Sequence, residues 1–304
     1  MTTVAPPAPA TPARPDSIYR SQGGHRSRKV RNTVATSLIS ASFVLAVVPL
    51  VFVVVFIVQK GSGVFGWHFL TTDIPFSDRD FGGGMKPAVV GTLLITGAAT
   101  VMAVPLGVLG AIYLNEYGGK NWLARLIGFM ADVMTGVPSI VMGLFIFSIW
   151  VLHFGFSGLA GAFALAALML PIVIRSTDEM LKLVPDSLRE GSYALGASKA
   201  HVTLTVVLPA AIGGIVSGAL LAIARAAGET APLLFTILTV TTANANVFSG
   251  PNTSLPSQIF SNASSPYTGA QARGWGAALT LIAIAFILMI AARLVTARFA
   301  RYHR

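Results

Sequence analysis

Long apolar runs alternate with short polar segments along most of the chain. Each run is close to the length that a helix needs to cross a bilayer, which is roughly 20 apolar residues. The predicted spans are Thr33–Val58, Ala88–Leu114, Met134–Leu152, Gly158–Ile174, Ala210–Leu238 and Gly276–Leu294. The predicted fold class is therefore an all-α polytopic membrane protein with six transmembrane helices.

Composition supports an integral membrane protein. Of 304 residues, 54% are hydrophobic and only 11% are charged, and the mean hydropathy is +0.73. These values exclude an ordinary soluble domain. The absence of cysteine excludes disulfides, thiolate catalysis and cysteine metal sites. His68, His153 and His201 have no metal-ligand spacing, so no metal site is predicted.

The distribution of positive charge predicts the orientation in the membrane. Most of the 21 lysine and arginine residues fall before the first span, in alternate loops, or after the last span. Because cytoplasmic segments carry the excess of Lys and Arg, both termini are predicted to be cytoplasmic. The cluster RSRKVR at residues 26–31 then needs no nucleic acid, since anionic membrane lipid provides a sufficient partner.

Two regions follow from this organisation. Residues 1–32 are rich in Pro, Ala, Ser and Arg, and we expect a disordered basic cytoplasmic tail. Residues 33–304 form the membrane domain, which contains a polar cytoplasmic loop at residues 175–209. Asp132 is expected at the start of the third span, where a carboxylate favours the helix dipole.

The loop at residues 175–209 has the pattern of a short amphipathic helix. Ser187 and Glu190 have the spacing of a capping box, and Gly196 is expected to end the helix. The helix would carry Leu188, Tyr193 and Leu195, which are apolar residues on the water side of a membrane protein. Such a surface indicates a protein partner.

The same loop contains a longer motif. Glu190-Gly191-Ser192 is followed by three residues, then Gly196, then nine residues, then Val206-Val207-Leu208-Pro209. This spacing resembles the EAA loop of the membrane subunits of bacterial ABC importers. The sequence departs from that pattern at Gly191 and Ser192, which replace two alanines, and at Val206, which replaces isoleucine. The alternative is an ordinary amphipathic helix that precedes a span.

Other segments narrow the resemblance. GETAPLLFT (228–236), SLPSQIF (254–260), SSPY (264–267) and PAVVGTLL (87–94) resemble the PstA-type permease subunits of bacterial phosphate ABC importers. The resemblance runs from about residue 33 to the end of the chain, and it implies the type I ABC importer permease fold in the bacterial inner membrane. It also implies a PstC-type sister permease, a PstB-type ATPase dimer and a PstS-type extracytoplasmic phosphate-binding protein.

The resemblance assigns a coupling role to the loop. Arg189 and Glu190 would make polar contacts with the ATPase, Tyr193 and Leu195 would be apolar anchors, and Gly191 and Gly196 belong to the motif. The chain has no G-x-x-x-x-G-K-[ST] phosphate loop. If transport is driven by ATP, ATP and Mg²⁺ are used by the partner ATPase, and this chain is not an enzyme and binds no cofactor.

Arg225 and Glu229 are two charges inside an apolar run. A charge at the centre of a membrane helix costs about 2.5 to 3.5 kcal/mol on insertion scales. Four residues apart on a helix, they lie on one face and can pair. A guanidinium also matches the oxygens of phosphate, and the resemblance links the matching pair in PstA-type permeases with transport. Gly228 would allow close helix approach, and Pro232 would break the helix.

Alternatives remain for this pair and for the chain. The pair could be a structural contact that faces the sister permease. The chain could be the permease of another oxyanion importer, for sulfate or molybdate, or a secondary anion transporter that works alone. An intramembrane enzyme would need paired catalytic groups within the spans, and the sequence shows none.

Overall fold

The computed structural model describes residues 25–119 and 121–301. This part of the chain is helical and contains no β-strand. The helices are α1 (His25–Gly61), α2 (Trp67–Thr71), α3 (Lys86–Tyr117), α4 (Trp122–Gly136), α5 (Ser139–Phe154), α6 (Gly158–Lys182), α7 (Asp186–Ala194), α8 (Lys199–Ala227), α9 (Leu233–Thr236), α10 (Leu255–Ala263) and α11 (Thr268–Arg301).

The chain divides into two compact units, the first ending at Val55 and the second beginning at Phe56. In the described part of the first unit, helix α1 begins at His25, so the predicted tail boundary at residue 32 lies inside this helix. Residues 1–24, which make up the rest of the predicted tail, lie outside the described residues. Apolar side chains such as Ile39, Leu45 and Phe52 are exposed along α1, which suits a lipid environment.

Five helices of the described chain are long and apolar enough to cross a membrane. These are α1, α3, α6, α8 and the first part of α11. The pair α4 and α5 makes a sixth if it counts as one span. The helical fold class is confirmed, and the predicted count of six depends on this pair.

The third predicted span, Met134–Leu152, is not a straight helix. Helix α4 ends at Gly136, helix α5 begins at Ser139, and the two axes are bent by 107°. Val137 is extended, with φ −73° and ψ 127°, because the ring of Pro138 disfavours the helical conformation in the residue before it. The bend therefore lies within an apolar segment that hydropathy alone describes as continuous.

Small residues allow the helices of the second unit to pack closely around α6. A β-carbon placed on Gly107 of α3 would lie 2.7 Å from Cγ1 of Val173 on α6. One turn further along α6, a β-carbon on Gly218 of α8 would lie 2.5 Å from Cβ of Ser176. Membrane helices commonly associate through such small residues because they let the backbones approach.

A buried cluster of apolar side chains joins α3, α6, α8 and α9. It is made by Ile95, Ala99, Ala103, Ala162, Leu165, Met169, Ala226, Leu233 and Ile237. Ala226 brings the end of α8 into this core, next to Arg225. The core therefore fixes the position of the segment that carries the two predicted charges.

The long connection between α9 and α11 is well organised rather than a bare linker. Ser254 and Ser257 form a capping box at the start of α10. The buried hydroxyl of Thr92 on α3 accepts a hydrogen bond from the backbone amide of Leu255, at 2.8 Å. On α11, the buried guanidinium of Arg273 donates to the backbone carbonyl of Asp80, at 2.5 Å. The first bond holds the connection between α9 and α11 against α3. The second holds the loop that contains Asp80, between α2 and α3, against α11.

Candidate functional site

Arg225 and Glu229 are neighbours at the end of α8. The helix ends at Ala227, with Gly228 as the capping residue, so Glu229 lies just beyond it. The backbone amide of Glu229 donates to the carbonyl of Ala226, at 3.1 Å, which continues the turn. Arg225 Nε lies 3.6 Å from Glu229 Oε1, and the two side chains are 69% and 21% exposed. The predicted pair is present, although the helix ends earlier than Leu238.

A hollow of about 240 Å³ lies beside this pair. Its walls come from the bend between α4 and α5, from α6 around Pro171, and from the end of α8. Each of these regions contains a helix end or an internal proline, as is common where substrates pass through membrane proteins. The residues that line this charged hollow are Met134, Thr135, Val137, Pro138, Ser139, Leu168, Pro171, Ile172, Arg225 and Glu229.

Two contacts hold the walls of the charged hollow in place. Arg175 on α6 forms an ion pair with Asp132 on α4, and it donates to the carbonyl of Gly128 at 3.0 Å. On α5, a β-carbon on Gly143 would lie 2.6 Å from Cα of Pro232. Gly143 therefore permits the close approach of α5 to the backbone at Pro232.

Three predictions about this region need correction. Gly228 meets only a carbonyl of its own helix within 4 Å, so it permits no close approach to another helix of the described residues. Its place at the end of α8 accounts for it better. Asp132 lies in the second half of α4 and pairs with Arg175, so the expectation of a residue at a helix start is wrong. Pro232 lies beyond the break and precedes the short helix α9.

The charged hollow has the chemistry of an oxyanion site. The guanidinium of Arg225 is largely uncovered, and its contact with Glu229 is longer than an ideal charge-assisted hydrogen bond of about 2.7 to 2.9 Å. Its remaining N–H groups can therefore donate to the oxygens of another oxyanion. Ser139 begins α5 at the edge of the hollow, where backbone amides without intrahelical acceptors favour negative charge.

The second predicted region, α7, is a short exposed helix that begins at Asp186. It starts without a side-chain cap, with Pro185 before it, so the predicted capping box of Ser187 and Glu190 is wrong. After the helix, Gly196 has a φ of +82°, a conformation that favours glycine. This requirement explains why the motif has glycine at this position.

Most of the predicted coupling residues are exposed on α7 or directly after it. They are Glu190, Gly191, Tyr193, Leu195 and Gly196, and Leu188 is exposed beside them. Arg189 is different, because its side chain is only 13% exposed and pairs with Glu116 of α3 at 3.0 Å. The structure thus turns Arg189 towards the protein interior and not outwards with its neighbours.

Sequence reasoning missed several residues of these two regions. Glu116, Arg175 and Gly143 are separated from their partners by long stretches of sequence, and no local pattern identifies them. The sequence offers one signal for Glu116, which is a charged residue at the end of an apolar run. Across residues 25–119 and 121–301, no three His, Cys, Asp or Glu side chains come together as a metal site would require.

Comparison with known proteins places this arrangement in a family. Residues 103–301 match the family described as binding-protein-dependent transport system inner membrane component. The fold is similar to that of the MetNI methionine ABC transporter in an inward-facing structure. The TM-score is 0.56 at 18% identity, over 71% of this chain and 94% of that chain. This likeness confirms the predicted type I ABC importer permease fold.

Curated relatives are similar over most of their length. The phosphate transport system permease protein PstA 1 of Mycobacterium tuberculosis (strain H37Rv) is 44% identical, over 88% of each chain. The PstA protein of Yersinia pestis is 42% identical, over 89% of this chain and 92% of the relative. The chain therefore belongs to the binding-protein-dependent transport system inner membrane components and, within that family, to the PstA group of phosphate transport system permease proteins.

Proposed function

We propose that the chain is the permease subunit of an ATP-driven importer of inorganic phosphate and forms half of the translocation path. The observation that carries this proposal is the largely exposed guanidinium of Arg225 beside a hollow built from helix breaks. The names of the relatives, which are phosphate transport permeases, support phosphate over other oxyanions.

Arg225 would hold phosphate during its passage. Phosphate brings oxygens that match the planar fork of a guanidinium, and charge-assisted hydrogen bonds of this kind are stronger than neutral ones. Glu229, at 3.6 Å, orients the guanidinium and pairs with it again after phosphate has left. The competition between phosphate and Glu229 keeps binding weak enough for release.

The rest of the importer is supplied by other chains. A PstC-type permease completes the path, a PstB-type ATPase dimer uses ATP and Mg²⁺, and a PstS-type protein delivers phosphate from outside. The positive-inside pattern supports a cytoplasmic location for both termini and α7. Leu188, Tyr193 and Leu195 then form an exposed apolar surface that docks on the ATPase, with Glu190 as a polar contact.

The test is uptake in cells that lack this chain. Labelled phosphate at low external concentration is expected to accumulate only when the chain is restored, and accumulation is expected to stop when cellular ATP is depleted. Labelled sulfate and molybdate are the matched comparisons. Restored sulfate or molybdate uptake without phosphate uptake would move the chain to another oxyanion importer, and uptake that survives ATP depletion would make it a secondary transporter.

A further inference from the structure

Arg189 is the centre of a hydrogen-bond cluster that joins α7 to the rest of the protein. Its Nη1 donates to the carbonyl of Val184 at 2.6 Å, and its Nη2 donates to the carbonyl of Leu181 at 2.9 Å. Nη2 and Nε both donate to Oε1 of Glu116, at 3.0 and 3.2 Å. An exposed carboxylate, Asp186, accepts a further bond from Nη1 at 3.0 Å. All three guanidinium nitrogens are thus bonded within the chain.

Glu116 lies in the π-helical turn that ends α3, residues Tyr113–Tyr117. Its side chain is only 5% exposed, and Arg189 is its salt-bridge partner among the described residues. A buried carboxylate is unfavourable without a compensating charge, and loss of one partner leaves the other as an unpaired buried charge. The pair therefore resists separation of α7 from α3.

The same π-helical turn has further contacts with the polar loop. Asn115 accepts a bond from Nη2 of Arg189 at 3.4 Å, and Lys199, the first residue of α8, holds its ammonium group 5.2 Å from the ring centre of Tyr117. Three consecutive residues of α3 thus contact Arg189 on α7 and Lys199 at the start of α8. π-Helical turns of this kind are frequent at functional sites.

From Glu116, the packed structure continues to the charged hollow. Helix α3 packs tightly on α6 at Gly107, and its Ala99 and Ala103 lie in the same buried cluster as Ala226. Ala226 is the neighbour of Arg225. A displacement of the end of α3 can therefore be transmitted, through closely packed side chains, to the segment that carries the candidate phosphate contact.

We propose that the Arg189–Glu116 pair is the link through which movement of α7 reaches α3 and the charged hollow. Arg189 is a positioning residue in this role and does not contact the ATPase. The inference rests on the proposed function, in which α7 docks on the ATPase. It adds a specific path for the movement and moves Arg189 from the docking surface to the interior.

The experiment compares Arg189→Gln, Glu116→Gln and the double variant in the complete importer, reconstituted in vesicles with its partner subunits. Phosphate transported and ATP hydrolysed are measured on the same assembled complexes. Each single variant is expected to transport at least about fivefold less phosphate per ATP hydrolysed. The double variant is expected to be no worse than either single variant, because residues that act as one unit are not additive.

Two further variants separate coupling from folding. Asp186→Asn removes the negative charge of the exposed acceptor of the same guanidinium, since the Asp186 side chain is 87% exposed, and it is expected to stay within twofold of wild type. Glu116→Gln keeps the bonds from Arg189 to Leu181 and Val184, so it carries the test if Arg189→Gln does not assemble. A purely structural role would lower the amount of assembled complex but leave phosphate per ATP unchanged.

The outcomes divide cleanly. A lowered ratio in both single variants, with no further loss in the double variant, supports the link. A wild-type ratio in the assembled Glu116→Gln complex, or losses that multiply in the double variant, overturns it. If the wild-type complex itself transports no phosphate, the proposed function fails, and that result is distinct from coupled transport that is unaffected by the variants.

Discussion

Arg225→Gln is expected to lower phosphate uptake at least about 30-fold while the importer still assembles, because Arg225 is proposed to pair with phosphate inside the path, and loss of one partner of a buried, hydrogen-bonded charge pair costs about 2 to 5 kcal/mol. Glutamine keeps much of the length of arginine but loses the charge and the planar fork. Since the side chain is 69% exposed in this subunit, its removal leaves little packing to collapse. Initial uptake rates at low external phosphate, corrected for the amount of co-purified ATPase, measure the effect.

Two single substitutions provide controls for Arg225→Gln. Arg225→Lys keeps the positive charge without the fork, so an intermediate rate is expected. Arg125→Gln removes another exposed arginine, on α4 and away from the charged hollow, and is expected to transport normally. Normal transport by Arg225→Gln, in complexes that assemble fully, would remove Arg225 from the phosphate path.

The double variant Arg225→Gln/Glu229→Gln distinguishes a phosphate contact from a structural ion pair. If the two residues only neutralise each other, removing both charges leaves no unpaired group and should restore transport. If Arg225 holds phosphate, the double variant stays as inactive as Arg225→Gln. We expect the second result, because the 3.6 Å contact leaves most donors of the guanidinium uncommitted.

Gly91→Val is expected to destabilise the protein by about 3 kcal/mol, at the upper end of the usual cost of overpacking. A β-carbon at Gly91 would overlap the backbone carbonyl of Thr253 and lie 2.6 Å from Oδ1 of Asn252. Both Asn252 and Thr253 are buried at the start of the segment that leads into α10, so neither can move aside. The clash would separate α10 from α3.

Gly97→Val on the same helix is the matched control for Gly91→Val. A β-carbon at Gly97 meets nothing within 4 Å, and valine has a slightly better helix propensity than glycine. Heating the detergent-purified complex and recording the loss of monodisperse protein measures both variants. The midpoint is expected to fall by about 6 °C or more for Gly91→Val and to change little for Gly97→Val. Equal midpoints would show that the contact with Thr253 contributes no stability.

The apolar runs predicted the helical fold because bilayer length and backbone satisfaction leave few alternatives. They did not predict the bend at Gly136–Ser139, because hydropathy averaged over a whole span hides the local signal that Pro138 gives for a helix break. Nor did they predict the end of α8 at Ala227, because the apolar run continues to Leu238. Hydropathy measures the environment of a segment, whereas helix breaks depend on local backbone geometry.

Local spacing identified Arg225 with Glu229, which are four residues apart, and the exposed surface of α7. It misplaced Arg189, because an amphipathic pattern does not show which polar residue has an acceptor elsewhere in the fold. Its buried partner, Glu116, is 73 residues away in sequence. Contacts of that length arise from the packing of α3 near α7, and a single sequence contains no direct signal for them.

The open side of the charged hollow has a genetic consequence. In the proposed importer, the guanidinium of Arg225, which is 69% exposed in this subunit, faces the sister permease. A substitution at this site in one subunit then alters its fit to the other subunit, so the two genes are expected to change together. Second-site suppressors of substitutions at Arg225 or Glu229 are therefore expected in the gene for the sister permease as well as in this one.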